Sequence, residues 1–568
     1  MPEYFSPGVY VEEYDNGPRS IEGVGTSTAG FVGLAEKGPV KGAPLLCTNF
    51  KDFTRQFGGF LNEFSFGEYR FLANSVEQFF VNGGTRCFVS RVAPEDAKIA
   101  AKTLGSLSVK AANPGKWGNR IQVTLATVTK KKLQLIAASK DKSSYVAKSA
   151  EGFRVGDLVV VGNEYNRIAS IFDETMTFEK AFSTNVVDDK VIPKTVLNKV
   201  TINVSVRYED DVENYSELSF NPSDPNFIAN RLSASDIIDV EVNPSGKLGN
   251  PVEEILGKGV TSGMFTLEGG TDGSISKINA GTFIGVDNGP GNRTGIQSFV
   301  ENSLVSIMAV PGITIPEVVV ALVTHCENLK SRFAILDMPA DMSKTQDLLQ
   351  YRELIDSTYA AMYHPWIQVF DRSVNQAGFV PPSGAVAGVY SRTDTARGVH
   401  KAPANETVFC TGLSVNYTKG EQDILNPEGI NLVRALPGQG IRVWGARTAS
   451  SNSAFKYVNV RRLFIYVEES IKANTNWVVF EPNDTSLWNR VNMTISAFLD
   501  GLWRAGMLTG DTPEQAYFVE IGPSTMSRDD IMNGRLICNI GIAPSRPAEF
   551  VIFRVTQHTA EAGGGAEE

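Results

Sequence analysis

At 568 residues, of which 42% are hydrophobic, the chain is long enough to bury several cores, and we expect about three or four compact units. Its 53 basic and 63 acidic residues give a formal net charge of -10 without long charged runs, which argues against nucleic acid as a partner. Five widely spaced cysteines without a CxxC pair exclude a disulfide scaffold, and the prolines in the most apolar stretch, residues 305–326, argue against membrane insertion.

A short strand is predicted close to the N-terminus, in GVYVEEY at residues 8–14. Val9 and Val11 face one side of this strand and Tyr10 faces the other, because successive strand side chains alternate. The following DNGPRS contains glycine and proline, which separate the strand from the first domain. We therefore expect a separate N-terminal arm.

The next region has the pattern of a helix followed by a strand. Leu72, Val76 and Phe79 recur at helical spacing, two glycines end the pattern, and residues 86–92 form a predicted strand. This order is typical of a helix packed on a sheet.

A second alternating region follows in the middle of the chain. We expect a helix opened by proline over residues 316–329, a strand over 333–336, a helix capped by Ser343 over 343–358, and a strand over 362–370. Alternating helices and strands predict a parallel or mixed sheet and an α/β fold class.

Residues 130–199 differ from both neighbours. The segments GFRVGDLVVVGNEYNRIASI and TMTFEKAF alternate in short β-like runs around turn residues. We expect this block to be an inserted all-β domain.

The C-terminal end carries the segment EFVIFRV, residues 549–555. Its nearly continuous apolar run predicts a strand buried on both faces. Such a strand needs a partner, which is either its own domain or another chain. The final HTAEAGGGAEE is glycine-rich and acidic, and we expect it to be disordered.

No catalytic constellation is evident. Asp337 and Asp371 follow predicted strands, where open α/β sheets place functional groups, but no acid, base or nucleophile lies near them in sequence. A loop or helix-capping carboxylate is the favoured interpretation. The four histidines are scattered without an HExxH pattern, and no GxxxxGK[ST] motif is present. We expect no catalytic residue, no metal site and no cofactor.

A series of motifs in a fixed order carries a resemblance to the contractile tail sheath proteins of phage tails, R-type bacteriocins and extracellular contractile injection systems. The two most informative are PPSGAVAGVYSRTDTARGVHKAPANE at residues 381–406 and GINLVRALPGQGIRVWGART at 429–448. The others are SPGVYVEEY, TSTAGFVGLAEKGP, FFVNGGTRCFVSRV, NPGKWGNRIQV, LEGGTDG, FAILDMP and AAMYHPW before these two, with YVNVRRLFIYVEESI, VFEPND and IGIAPSRPAEF after them.

The resemblance implies a structural protein, not an enzyme. Such a subunit polymerises helically around an inner tube and contracts to drive the tube through a target cell envelope. The implied partners are further copies of the chain, the inner tube protein, and baseplate and tail-terminator proteins. Assembly is expected in the cytoplasm of the producing cell, after which the sheath is part of a virion tail or a released particle.

The resemblance also implies exchange of terminal strands between subunits. Val9, Tyr10 and Val11 would form one donated strand, and the other would contain Phe550, Val551, Ile552 and Phe553. We expect a mixed-sheet sheath core, and these regions: arm 1–20, α/β region 21–129, outer β insert 130–199, central α/β domain 200–401, tube-facing C-terminal domain 402–548, donor strand 549–557 and acidic tail 558–568.

One further contact is predicted within YVNVRRLFIYVEESI, residues 457–471. Val458, Leu463 and Val467 give an apolar helical stripe, which places Arg461 and Arg462 at its exposed margin. There the guanidinium groups would contact carboxylates of the tube or of a neighbouring subunit. The alternative is an intramolecular ion pair with Glu468, Glu469 or another acid.

Two other functions stay open at this point. A cytosolic α/β enzyme would require a deep pocket around Asp337 or Asp371. A non-contractile tail adaptor or terminator would lack the paired donor strands.

Overall fold

The structure is a computed structural model, and it describes residues 20–105, 107–139, 143–183, 195–242, 251–257 and 259–552. The N-terminal third contains these helices and strands: β1 Ala29–Leu34, β2 Leu45–Cys47, α1 Phe50–Phe57, α2 Glu63–Phe66, α3 Leu72–Val81, β3 Cys87–Val92, β4 Ala101–Leu104, β5 Leu107–Ala111, β6 Gln122–Val128, β7 Lys132–Ala138, β8 Ser144–Ala147, β9 Leu158–Val161, β10 Glu164–Phe172, β11 Thr175–Phe178 and β12 Val196–Lys199.

The middle of the chain continues with β13 Thr201–Tyr208, β14 Asp211–Leu218, α4 Ile228–Leu232, β15 Ile238–Val242, α5 Pro251–Leu256, β16 Ser262–Thr266, α6 Ala280–Ile284, β17 Ile307–Ala309, α7 Pro316–Leu329, β18 Phe333–Asp337, α8 Thr345–Arg352, β19 Ala360–His364, β20 Ile367–Asp371, β21 Gln376–Val380 and α9 Ser383–Arg397. The C-terminal part contains β22 Glu406–Thr407, β23 Gly412–Leu413, α10 Lys419–Leu425, β24 Ile430–Leu436, β25 Gly440–Val443, α11 Val458–Asn474, α12 Thr485–Arg504, α13 Pro513–Ala516, β26 Tyr517–Ile521, α14 Arg528–Met532 and β27 Cys538–Ile542.

A nine-stranded mixed sheet, the core sheet, joins distant parts of the chain in the order β2-β3-β1-β17-β18-β19-β24-β25-β22. The six strands from β3 to β24 are parallel to one another, and the pairings beyond them are antiparallel. The predicted α/β fold with a mixed sheet is confirmed.

Helices cover both faces of the core sheet, as is usual for parallel strands. Phe31 and Ile335 point to the face covered by α3 and α9. Their neighbours Val32 and Leu336 point to the opposite face, which α7 and α8 cover. Alternate residues of one strand therefore contribute to two separate cores.

The helices α3 and α9 approach each other unusually closely. A Cβ atom at Gly384 would lie 2.3 Å from the carbonyl oxygen of Ser75, and one at Gly388 would lie 2.5 Å from that of Phe79. The glycines in the SGAVAG segment of α9 thus allow backbone contact between the two helices.

The block between β6 and β13 forms a closed barrel in the order β10-β11-β8-β7-β12-β9. Its interior is filled by its own apolar cluster, which includes Leu135, Tyr145, Met176 and Leu197. The predicted all-β insert is confirmed, and we call it the insert barrel. A separate core beside it contains Trp117 and lies under the sheet β14-β13-β6-β16.

Two predicted elements are wrong in their bounds. The helix expected over residues 343–358 begins at Thr345 and ends at Arg352, because Ser357 is fixed in the turn before β19 by bonds to Glu327 and to the carbonyl oxygen of Ala449. Ser343 does not cap it. The strand expected over 362–370 is two strands, β19 and β20, which separate at Pro365 and join different sheets.

Candidate inter-subunit site

The last described residues form an exposed apolar segment. Phe550, Val551 and Ile552 are 72%, 67% and 78% exposed. They are in no strand, because no neighbouring strand pairs with them within the described chain. The burial predicted for this segment is therefore absent from the isolated subunit, and Phe553 lies outside the described residues.

The residue just before this segment is tightly held. The Glu549 carboxylate accepts a bidentate pair of bonds from Arg447, with Nε–Oε1 at 2.8 Å and Nη2–Oε2 at 2.6 Å. Asn426 Nδ2 donates at 2.7 Å and Tyr457 Oη at 2.9 Å. Burial raises the pKa of Glu549, but these hydrogen bonds outweigh it, so the pKa is lowered overall. The carboxylate therefore fixes the point where the apolar segment leaves the body.

A small sheet lies in the same C-terminal region. The strands β26 and β27 pair antiparallel, with Val519 opposite Ile540, and no third strand pairs with them among the described residues. Their inner side chains pack on α12 in the core that also contains Val491 and Leu499. Two strands alone are marginal in water, so α12 supports a sheet that no further described strand extends.

The other end of the described chain reaches the same region. Val24 N donates to Ser470 Oγ at 3.1 Å, and Asn474 Nδ2 donates to the carbonyl oxygen of Glu22 at 2.9 Å. Both Ser470 and Asn474 belong to α11. The predicted donor residues Val9, Tyr10 and Val11 lie outside the described residues.

The exposed position predicted for Arg461 and Arg462 is wrong. Their exposed fractions are 7% and 3%, because α11 is enclosed by two cores and not by one. Arg462 forms an ion pair with Asp394, at 2.9 and 2.5 Å, and Arg461 stacks 3.6 Å from the ring centre of Phe455. The predicted contact with the tube or a neighbour therefore has no exposed guanidinium group to make it.

Asp337 is a structural carboxylate. It accepts bonds from the backbone of Gly312 and from the backbone and hydroxyl of Ser383, at 2.6 to 2.9 Å, and so holds the start of α9. Burial raises its pKa to about 6, despite these bonds.

Asp371 has a similar role. It accepts from Arg70 at 3.2 Å and from Ser373 at 2.7 Å. Both carboxylates are buried and hold neighbouring segments through these bonds. In the described chain no three histidine, cysteine or acidic side chains are grouped to hold a metal. None of the described helices has the length and apolar character needed to cross a membrane.

Sequence reasoning missed the Glu549 clamp, and although it left open an intramolecular ion pair for Arg462, it did not identify Asp394 as the partner. The partners are 102 and 68 residues apart in the chain. The only local signal was Glu549 itself, a single acid directly before an apolar run.

Comparison with known proteins identifies two domains. Residues 291–449 match the family model of the phage tail sheath protein central domain, and residues 450–558 match that of the phage tail sheath C-terminal domain. The chain is 27% identical over 291 residues to a protein of Pseudomonas aeruginosa (strain UCBPP-PA14) named as a prophage major tail sheath protein, covering 49% of this chain and 73% of that one.

It is also 28% identical over 189 residues to the tail sheath protein of Salmonella phage ViI, covering 28% of this chain and 30% of the phage protein. The fold is similar along 98% of this chain to the contracted PVC sheath complex of an extracellular contractile injection system, with a TM-score of 0.52, 21% identity and 99% of that chain covered. Matched domains, relatives and fold agree, and the chain belongs to the contractile tail sheath family as a structural sheath subunit.

Proposed function

We propose that this chain polymerises into a helical sheath around an inner tube and contracts to drive that tube through a target envelope. The observation that carries the proposal is the exposed segment at residues 550–552, which leaves the subunit from the clamped Glu549, together with a two-stranded sheet that no further described strand extends. In an isolated subunit the apolar segment is exposed and the two-stranded sheet is not extended. In a sheath, a second copy would cover the segment, and a donated strand would extend the sheet.

The proposed link between subunits is strand addition. The N-terminal arm and the C-terminal segment of one copy would extend the β26–β27 sheet of its neighbours. Each backbone hydrogen bond contributes about 0.5 to 1.5 kcal/mol, and burial of each large apolar side chain adds about 1.5 to 3 kcal/mol. Several residues per strand therefore hold neighbours together while the globular bodies move.

Contraction would draw its energy from the lattice. Each subunit would exchange one set of neighbour contacts for a better one while it rotates and moves outward. A few kcal/mol per subunit, multiplied over a long sheath, exceeds a single chemical step, so the proposal includes no catalysis, nucleotide or other cofactor.

The proposed partners are the inner tube, the baseplate and the tail terminator, with no nucleic acid and no membrane insertion. The subunit would assemble in the cytoplasm of the producing cell and then form part of a virion tail or a released particle. The insert barrel would face outward, and the region that contains α11 and α12 would face the tube.

Two truncations test the proposal, one lacking residues 1–15 and one lacking residues 550–568. Both should give folded subunits with unchanged melting temperature that form no long sheaths in electron micrographs, because a donated strand is missing. The full-length chain, prepared in parallel, is the control. Sheaths of normal length from either truncation would contradict strand exchange by that terminus.

A further inference from the structure

A polar cleft opens where the chain enters and leaves the insert barrel. It is lined by Lys130 and Lys131 at the entry to the barrel, by the barrel turn that contains Gly152 and Arg154, and by residues 224–226 outside the barrel. Its volume is about 250 Å³. Small-molecule sites commonly lie between two domains and have volumes of about 300 to 1,000 Å³. The cleft therefore suits a ligand at the small end of this range.

A buried network of charged groups forms part of the lining. The Lys199 ammonium, which is almost completely buried, lies 2.7 Å from the Asp157 carboxylate and 2.9 Å from that of Asp224. Asp157 also accepts from Asn221 Nδ2 at 2.9 Å and from the backbone nitrogen of Arg154 at 2.8 Å. Because these groups bind one another, the network fixes the backbone that carries Arg154 before any ligand arrives.

Two other cations of the cleft have no acidic partner. Lys130 is paired with Glu217 at 2.8 Å. Lys131 and Arg154 form no ion pair with any described residue, and Arg154 Nη1 has only a long contact of 3.4 Å with the carbonyl oxygen of Ser223. In a chain with a formal net charge of -10, two unneutralised cations in one cleft create a local positive potential that attracts anions.

The two cations lie in the same part of the cleft. A Cβ atom at Gly152 would be 3.1 Å from Lys131 Nζ, so this ammonium lies against the turn that carries Arg154. Bringing like charges together costs free energy, and an anion bound between them would remove that cost. A guanidinium group binds phosphate through paired hydrogen bonds, and an ammonium group adds a compact charge.

We propose that this cleft binds a sugar phosphate, that is, a phosphate monoester on a small hydroxyl-rich body. A phosphate monoester carries about -1.5 to -2 charges at neutral pH, which matches the two cations. The rest of the lining includes the Asn226 amide and the Thr201 hydroxyl. Thr201 donates to the carbonyl oxygen of Val128 at 3.2 Å, and its oxygen retains lone pairs that accept from a sugar hydroxyl.

Calorimetric titration of the full chain tests the proposal, with glucose 1-phosphate, inorganic phosphate and glucose as probes at about pH 7.5 and low salt. We expect saturable binding of glucose 1-phosphate, binding of inorganic phosphate that is weaker by about threefold or more, and no binding of glucose. The weaker binding of inorganic phosphate follows from the loss of the contacts with the sugar hydroxyls.

A double variant removes the two unpaired cations. Lys131→Gln with Arg154→Gln should weaken the binding of glucose 1-phosphate at least about tenfold. The melting temperature should stay unchanged, because both side chains are exposed. The matched control, Arg55→Gln with Lys116→Gln, removes two exposed cations elsewhere and causes the same change in net charge. It should bind as the natural chain does.

A single variant should have the opposite effect. Glu217→Gln removes the carboxylate that occupies Lys130, which adds a third cation for the ligand. Binding of glucose 1-phosphate should become about threefold tighter or more. Unchanged or weaker binding in this variant would place the anion outside the cleft, whether or not the double variant folds.

A further probe distinguishes a free sugar phosphate from phosphate within a glycan polymer. The methyl ester of glucose 1-phosphate is a diester with one negative charge, as in a polymer, and it should bind about threefold more weakly than the monoester or worse. The proposal is overturned if the diester binds as tightly as the monoester, if inorganic phosphate does so, or if the double variant and its control bind glucose 1-phosphate equally.

Discussion

Arg462 and Asp394 form an ion pair in which both side chains are almost completely buried. Arg462 also donates to the carbonyl oxygen of Thr26 at 2.9 Å and lies 4.8 Å from the ring centre of Tyr390. Removing two charges from water costs several kcal/mol each, and their attraction offsets this only while both partners are present. The pair therefore joins α9, α11 and the segment before β1, but only as an intact unit.

Arg462→Glu should destabilise the free subunit by about 3 to 5 kcal/mol, because it places two carboxylates together in a buried site. Thermal unfolding of the subunit measures this. Arg490→Glu, which disrupts an exposed pair, should change stability by about 0 to 1 kcal/mol. Equal melting temperatures for the two variants would show that the buried pair contributes nothing to the fold.

We expect the stability of the folded subunit to depend on pH because of the buried carboxyl group of Asp337. Burial raises its pKa to about 6 in the folded protein, above the ordinary value of 3.8, so the folded state binds this proton more tightly. The stability that this proton contributes is fully present below about pH 4 and is lost as the pH rises through about 6.

Between pH 4 and pH 7 the free energy of unfolding of the natural chain should fall relative to that of Asp337→Asn by about 2 to 3 kcal/mol, since each pKa unit corresponds to about 1.36 kcal/mol. Urea titrations at several pH values measure the difference. Parallel pH profiles for the two proteins would mean that Asp337 does not titrate in this range.

Among the elements, α3 and α9 show how close packing depends on single glycines. Gly384 faces the carbonyl oxygen of Ser75, whereas Gly501 in α12 is exposed, and a Cβ atom there would meet nothing within 4 Å. The same substitution should therefore have opposite effects in the two helices.

Gly384→Ala should destabilise the subunit by about 1 to 3 kcal/mol through overpacking. Gly501→Ala should stabilise it by about 0.4 to 1 kcal/mol, because alanine restricts the unfolded chain and favours helix. Chemical denaturation of both variants measures the signs. A stabilising Gly384→Ala would show that the two helices separate easily.

Local patterns predicted those elements whose ends are set by local chemistry. The helix α7 begins at Pro316 and ends at Leu329 as expected, because proline suits the first turn of a helix. The position of Arg461 and Arg462 could not be predicted in this way. A stripe of apolar residues shows that one face of α11 is buried, but it does not show that a second core covers the opposite face.

The same limit applied to the candidate site. The apolar character of residues 549–555 indicated a strand in need of a partner, and exposure of Phe550 in the subunit agrees with that need. The clamp on Glu549 depends on Arg447, Asn426 and Tyr457, which only the tertiary fold brings together. The spacing of these residues in the sequence gives no sign that they meet in the fold.

At the scale of the whole molecule, the chain enters and leaves the insert barrel at two neighbouring positions. Val128 at the end of β6 pairs with Thr201 at the start of β13, so the chain leaves and re-enters at neighbouring positions of one ladder. The barrel also contacts the rest of the subunit. Lys199 forms ion pairs with Asp157 of the barrel and with Asp224 outside it. Leu158 and Val160 contribute to the core beside the barrel.

Replacing residues 133–198 by a short glycine-serine linker should leave a folded subunit that still polymerises. We expect stability to fall by about 1 to 3 kcal/mol, because apolar contacts of Leu158 and Val160 are lost. Calorimetry and electron microscopy of the shortened chain measure both effects. Failure of the shortened chain to fold would mean that the barrel belongs to the core.

The core sheet ends on very short strands, since β2 has three residues and β22 has two. A long free edge would offer unpaired backbone groups to any other chain, and a sheath requires many copies at high local concentration. Because the edge strands are short, the core sheets of two copies have few unpaired backbone groups through which they could pair. The fold thereby protects newly made subunits from aggregation, even though the same molecules are built to associate through strands elsewhere.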